Sequence, residues 1–253
     1  MGEQDLRPRL CPVGDSALLV EYARRVDEAA NERVQALAGL LRGAAPGWLV
    51  DQIPAFASLL VCYDPLRADY QTVAAYLGEL AERAAAKPQG DHKIWELPVC
   101  YEPEFGPDMP DMERLCGLSR REIIDIHTGR DYKIYMLGFL PGFAYLGGMD
   151  LRIAAPRLAS PRERIEPGSV GIGGEQTGVY PMASPGGWRL LGKTPLELYD
   201  PRREEPIFYQ AGDYIRFREI DREEFLALRE RVTAGLWRPE EILHESKQAG
   251  GGW

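Results

Sequence analysis

The sequence predicts two unlike domains: an α+β domain over residues 1–88, then a mainly β barrel or sandwich over residues 89–253 that closes with a helix. Three observations carry this. Before residue 88, strand-like and helix-like periodicities alternate. Between Gly138 and Gly212, no stretch free of Gly and Pro exceeds seven residues, which nearly excludes helices because neither breaker suits a helix interior. Between these textures lies "KPQGDH" (87–92), polar and breaker-rich, which reads as a linker. No internal repeat relates the halves.

The elements follow in order. "ALLVEYA" (17–23) is a short apolar strand. From Asn31 to Leu41, Val34, Leu37, Ala38 and Leu41 recur at helical spacing, and Gly43 offers a C-terminal stop. "GWLVDQI" and "ASLLVCYD" are two strands joined in hairpin fashion near Pro54. "YQTVAAYLGELAERAAA" places Val73, Tyr76, Leu77 and Leu80 on one stripe. The result is an open sheet with helices on one face. "KIWELPVCY" is a strand, and a Pro- and Asp-rich loop follows it. Ser119 with Glu122 forms a capping box that opens a helix through "REIIDIH". "YKIYMLGF", "GSVGIGG", "PLELYD" and "DYIRFREI" read as strands, "REEFLALRERV" as an amphipathic helix, and "QAGGGW" as a frayed tail.

With 253 residues the chain can bury one generous core or two small ones. Its acids outnumber its bases by nine charges, which argues against a nucleic-acid or anionic-membrane surface. The longest apolar runs are short strands such as "LLVCY", and no signal-like segment opens the chain, so a cytosolic, membrane-free protein is expected. Cys11, Cys62, Cys100 and Cys116 form no CxxC pattern and are expected to be buried reduced thiols. His92, His127 and His244 lie far apart and supply no metal-ligand spacing. No GxSxG elbow appears.

Gly187 to Thr194 matches the phosphate-loop pattern literally, yet its context fails. Such a loop follows a buried strand and opens a helix. Here Pro181 and Pro185 break the preceding segment. Trp188-Arg189-Leu190-Leu191 reads as a strand, and Pro195 pushes Thr194 away from helical angles.

Several side chains can still serve a ligand. Phe139, Phe143 and Tyr145 flank the Pro141-Gly142 turn and can wall a small-molecule pocket, or fill barrel corners. Arg157 and Arg162 each follow a proline. A guanidinium grips a carboxylate or phosphate through two parallel hydrogen bonds, or merely answers nearby acids. Gln176 and Thr177, with Tyr180 beyond, offer neutral groups suited to an amide or lactam, or to bracing their own turn. Ser184, Gly186, Gly187 and Trp188 form another glycine-rich turn, and Lys193 can reach a phosphate as a point charge or sit solvated at a strand end. His127 reads as a helix C-terminal cap, or as a group titrating near neutrality.

Read in order, "GFLPGFAYLGG" (138–148), "PR…SPR…IEPGSVGIGGEQTGVYP" (156–181), "SPGGWRLLGKTPLELYDP" (184–201) and "AGDYIRF" (211–217) resemble the allophanate hydrolase subunit 1 family. That family includes one component of the prokaryotic ATP-dependent 5-oxoprolinase and the kinase inhibitor KipI, and it supplies half of the carboxyltransferase region of urea carboxylase. The resemblance implies a cyclophilin-like barrel and a partner of the allophanate hydrolase subunit 2, or C, type, with an A-type component completing the oxoprolinase. It implies ATP with Mg as the complex's cofactor and a cleft shared between proteins, so that this chain is inactive alone. The regulatory members imply a histidine kinase as partner instead, and the urea carboxylase likeness implies a biotinylated one. Two departures stand out: Ala211 where the family often has Pro, and Glu175 where a small residue is expected.

Overall fold

Alternation of buried and half-buried side chains along two short strands organises the first part of the chain. In the computed structural model, which describes residues 7–25, 27–85 and 93–245, the chain divides into two units, Met1–Gly90 and Asp91–Trp253. In the first unit, β1 (Arg9–Val13), β2 (Ala17–Glu21), β3 (Leu49–Pro54) and β4 (Ser58–Tyr63) form an antiparallel sheet in the order β1-β2-β4-β3. Leu18, Val20, Leu59 and Val61 are buried, as the two-residue period of a strand requires. They pack with α1 (Glu28–Ala44) and α2 (Tyr70–Ala85) in one apolar cluster.

The α1 stripe of Val34, Leu37, Ala38 and Leu41 is fully or almost fully buried, as its spacing predicts. Asp27 caps its start, accepting from Ala30 N–H at 2.9 Å. The helix does not stop at Gly43. It runs to Ala44, and Ala45 takes the left-handed cap position at φ 40°. A left-handed alanine carries Cβ strain that glycine lacks. Ala45→Gly is therefore expected to stabilise the chain by roughly 0.5–1 kcal/mol, read as a higher urea midpoint at unchanged slope. β1 is unanticipated, because Pro12 and its exposed flank hide an edge strand.

In the second unit an eight-stranded sheet curls on itself. β5 (Lys93–Cys100) is central, pairing in parallel with β13 (Tyr214–Ile220) and antiparallel with β12 (Arg189–Lys193) and β14 (Leu243–Glu245). The order is β10 (Gln176–Val179), β9 (Ser169–Gly173), β12, β5, β13, β6 (Asp131–Leu137), β7 (Ala144–Gly147). The terminal strands β10 and β7 then approach each other, so the sheet nearly closes as a barrel. A two-stranded ribbon, β8 (Arg162–Ile165) with β11 (Ser184–Gly186), completes it. The breaker-rich stretch from Gly138 to Gly212 holds no α-helix, only a 3-10 turn at Leu151–Ile153.

Among the described residues this unit holds three α-helices: α3 (Met109–Cys116), α4 (Arg120–Thr128) and α5 (Arg222–Thr233). The capping box at α4 forms, with Ser119 Oγ accepting from Glu122 N–H and the Glu122 carboxylate accepting from Ser119 N–H. α3 lies inside the segment expected to be a loop. Pro110 sits in its first turn, where a missing N–H costs nothing. The strand expected at "PLELYD" does not form, and Pro195 to Asp200 joins no sheet. Of the four cysteines only Cys100 is buried. Cys11, Cys62 and Cys116 are half-buried, and all four are free thiols. Among the described residues no helix is long and apolar enough to cross a membrane. The expected linker (87–92) and frayed tail (248–253) lie outside the described residues.

Candidate functional site

The glycine-rich segments that stand apart in sequence converge on one cleft of about 150 Å³. The turn between β6 and β7 brings Phe139 and Phe143, and β7 itself brings Tyr145. Tyr180 comes from the end of β10, while Pro185, Gly186, Gly187 and Trp188 line the side formed by β11 and the start of β12. Arg157 completes the lining. Its loop is stitched to the β11 side by Leu158 N–H donating to Gly187 O at 2.7 Å.

Phe143 is the hub. Its ring meets those of Phe139, Tyr145, Tyr180 and Trp188 edge-on, with centroids 5.5, 5.2, 5.9 and 5.6 Å away. Phe143, Tyr180 and Trp188 join Ile165 and Leu190 in a small buried cluster. The aromatics are thus both core and wall. Their packing explains two glycines. A Cβ at Gly173 would sit 2.3 Å from the Trp188 ring, and one at Gly186 would sit 2.5 Å from the Tyr180 hydroxyl. Burial pushes the Tyr180 hydroxyl pKa up, so it stays a neutral hydrogen-bonding group.

The two candidate arginines part company. Arg157 is exposed, and among the described residues it has neither a hydrogen bond nor an ion pair. Arg162 is committed: its guanidinium donates to Asp108 Oδ1 at 2.7 Å and to Trp188 O at 3.5 Å. Asp108 is itself buried, and its other oxygen accepts from Leu190 N–H at 2.7 Å. Asp108 therefore ties the segment before α3 to β8 and β12, a role hidden in a stretch resembling a plain loop. Arg189 likewise meets Asp111 at 2.8 Å.

The remaining sequence candidates lie elsewhere. Pro141 is exposed in the turn, and Tyr209 donates its hydroxyl to the neighbouring Gly142 carbonyl. Gln176 faces Gly173 at the start of β10, with Glu175 exposed in the hairpin turn beside it. The Ser184 hydroxyl is buried and, among the described residues, has no hydrogen-bond partner. Lys193 ends β12 opposite Ser169, where burial lowers its pKa against the opposing pull of Glu166. The phosphate-loop match dissolves here: Gly192 and Lys193 belong to a sheet strand, and no helix follows Thr194. Leu190 N–H goes to Asp108, Thr194 N–H goes to Gly168 O, and the chain between them is extended, so the stretch does not curl around a phosphate.

A scan against protein families matches residues 8–209 to the carboxyltransferase domain, subdomain C and D. The chain belongs to this carboxyltransferase-domain family. One similar protein is the B-type component of 5-oxoprolinase from Bacillus subtilis strain 168, 41% identical over 89% of this chain and 98% of its own length. Among solved structures, TTHA0988 superposes with a TM-score of 0.72 at 36% identity, covering 81% of this chain but 40% of that one. The urea amidolyase of K. lactis, at 20% identity, shares the fold over 96% of this chain and 17% of its own, with a TM-score of 0.73.

One feature of this carboxyltransferase-family barrel lay beyond sequence reasoning. His127 is neither a helix cap nor a group that titrates near neutrality. It is fully buried and stacks on Phe217 with ring centroids 4.4 Å apart. Thr177 Oγ1 donates to Gly171 O at 3.2 Å and so accepts from His127 Nε2–H at 2.7 Å. That leaves Nδ1 to accept from the Tyr101 hydroxyl at 2.7 Å. Burial drops the His127 pKa to about 3. Thr177 is thereby a core residue beneath the site, not part of its wall. The only sequence signal was a histidine on the same helical face as Ile123 and Ile124.

Proposed function

We propose that this chain is the B-type component of an ATP-dependent 5-oxoprolinase, and that its cleft receives 5-oxoproline with the ligand carboxylate on Arg157. One observation carries the reading: an arginine with no internal partner among the described residues stands at the edge of an aromatic-walled cleft, on a chain 41% identical to a B-type 5-oxoprolinase component over nearly that protein's whole length. Five-membered lactams are small, flat and apolar on their faces. The ligand carries one carboxylate and one amide edge, which suits aromatic walls, a single guanidinium and a tyrosine hydroxyl.

The chain's own groups bind, orient and exclude water. Arg157 fixes the carboxylate, Phe143 and Trp188 shape the floor, and Tyr180 presents a neutral hydroxyl to the amide edge. None of these is a nucleophile or an activated base, which agrees with a cleft completed by a second protein of the C type, with an A-type component beside it. The relation to TTHA0988, in which this fold is under half of one longer chain, supports such an adjoining partner. ATP supplies phosphorylation that makes the amide carbon easier to attack. The stretch from Gly187 to Thr194, which holds the strand Arg189–Lys193, is not its site. Free thiols at all four cysteines fit a reducing cytosol.

Reconstitution tests this. With the C- and A-type components present, ATP-dependent glutamate release from 5-oxoproline is expected to appear only when this chain is added. Full activity without it, or turnover by this chain alone, would sink the assignment.

A further inference from the structure

Among the residues around the cleft, Phe139 alone has a backbone conformation that its own side chain opposes. Its φ is +66°, and Ala45 is the only other described non-glycine residue with a positive φ. Across it, Leu140 N–H donates to Gly138 O at 2.7 Å. This is the closure of a γ-turn about a left-handed centre, a rare and strained form. The loop is held from both ends, with Gly138 N–H to Phe143 O at 3.1 Å and Phe143 N–H to Leu140 O at 2.9 Å.

Packing does not account for this strain. The Phe139 side chain touches Phe143 edge-on, yet the residue is 64% exposed. Phe143 and Trp188, by contrast, are almost fully buried. A large aromatic that is both strained and left in water at the mouth of a cleft gains its advantage from something that arrives there.

We infer that Phe139 is the closing residue of the cleft, held ready by the γ-turn to lie against the flat face of a five-membered lactam whose carboxylate is on Arg157. The inference rests on the substrate reading above and adds a selectivity to it. A planar ring offers a face for stacking, whereas the open-chain amino acid produced from it does not. Phe139 then favours substrate over product, and ring opening itself loosens the product's hold.

The test compares Phe139→Gly, Phe139→Ala and Phe139→Trp in the reconstituted complex and in the full chain alone. Glycine and alanine both remove the ring, but only glycine relieves the left-handed backbone. Both are expected to raise KM for 5-oxoproline about 5- to 10-fold, with inhibition by added glutamate unchanged, while Phe139→Trp keeps a near-normal KM. The glycine variant of the full chain is expected to melt roughly 2–4 °C above the alanine variant. An unchanged KM in both truncations overturns the inference. So does weaker assembly with the partner proteins at unchanged KM, which would make Phe139 a protein contact. If the wild-type complex shows no ATP-dependent turnover of 5-oxoproline, the functional reading itself falls and takes this one with it. Wild-type turnover with insensitive variants removes Phe139 alone.

Discussion

Replacing Arg157 by alanine is expected to lower kcat/KM for 5-oxoproline by about 10²- to 10³-fold in the assembled complex, chiefly through KM. Among the described residues Arg157 has no carboxylate of its own chain to answer, so its charge is available to a ligand. A carboxylate deprived of its guanidinium in a partly desolvated cleft loses roughly 3–4 kcal/mol. Arg157→Lys should recover only part of this, because an ammonium is a point charge without the planar fork. Folding should be indifferent, since an exposed side chain without partners contributes within about 0.5 kcal/mol. The control is therefore internal: a large loss of kcat/KM at an unchanged melting temperature. Arg162 could not serve this way, because its partner Asp108 is buried and any loss of activity would be mixed with loss of structure. Wild-type kcat/KM in Arg157→Ala would place the carboxylate elsewhere.

The contrast between these two arginines shows where sequence reading stops. Both follow a proline in one glycine-rich segment, and by residue type they are equivalent. What separates them is Asp108, 54 positions from Arg162 in sequence, in a segment whose prolines and aspartates resemble an ordinary loop. Patterns that depend on near neighbours were legible: the α1 stripe, the Ser119–Glu122 capping box, and the breaker density that excludes helices from 138 to 212. The cleft was legible as a set of motifs, because close ring packing requires glycine at particular places, such as Gly173 against Trp188 and Gly186 against Tyr180. Features decided by distant partners or by one dihedral angle were not. β1 hid behind Pro12, α3 behind Pro110, and the left-handed turn at Phe139 has no compositional sign. "PLELYD" has strand-like alternation, yet no neighbouring strand takes it up.

The buried histidine makes the second large expected effect, a loss of stability in mild acid. The folded chain holds His127 at a pKa of about 3, against an ordinary 6.5. As pH falls below 6.5 the unfolded chain takes up a proton at this site, while the native chain does not until about pH 3. The unfolded state thus binds more protons across that window, and stability must fall as pH falls, by about 1.4 kcal/mol per unit. Half-buried carboxylates held below their usual range by arginines, such as Asp150 and Asp200, act in the same direction. Their contribution begins only near pH 5, where unfolded carboxylates start to protonate. The interval from pH 6.5 to 5 therefore isolates the imidazole. Urea unfolding at successive pH values should show this slope in the wild type and a flatter one in His127→Gln, which donates and accepts hydrogen bonds but does not titrate. The variant will be less stable at pH 7, because it gives up the stacking on Phe217 and cannot reach both Tyr101 and Thr177. The slope and not the absolute stability is the discriminating quantity. Equal slopes in the two proteins between pH 6.5 and 5 would mean that His127 is protonated without unfolding, and that the Tyr101–His127–Thr177 chain is open to water.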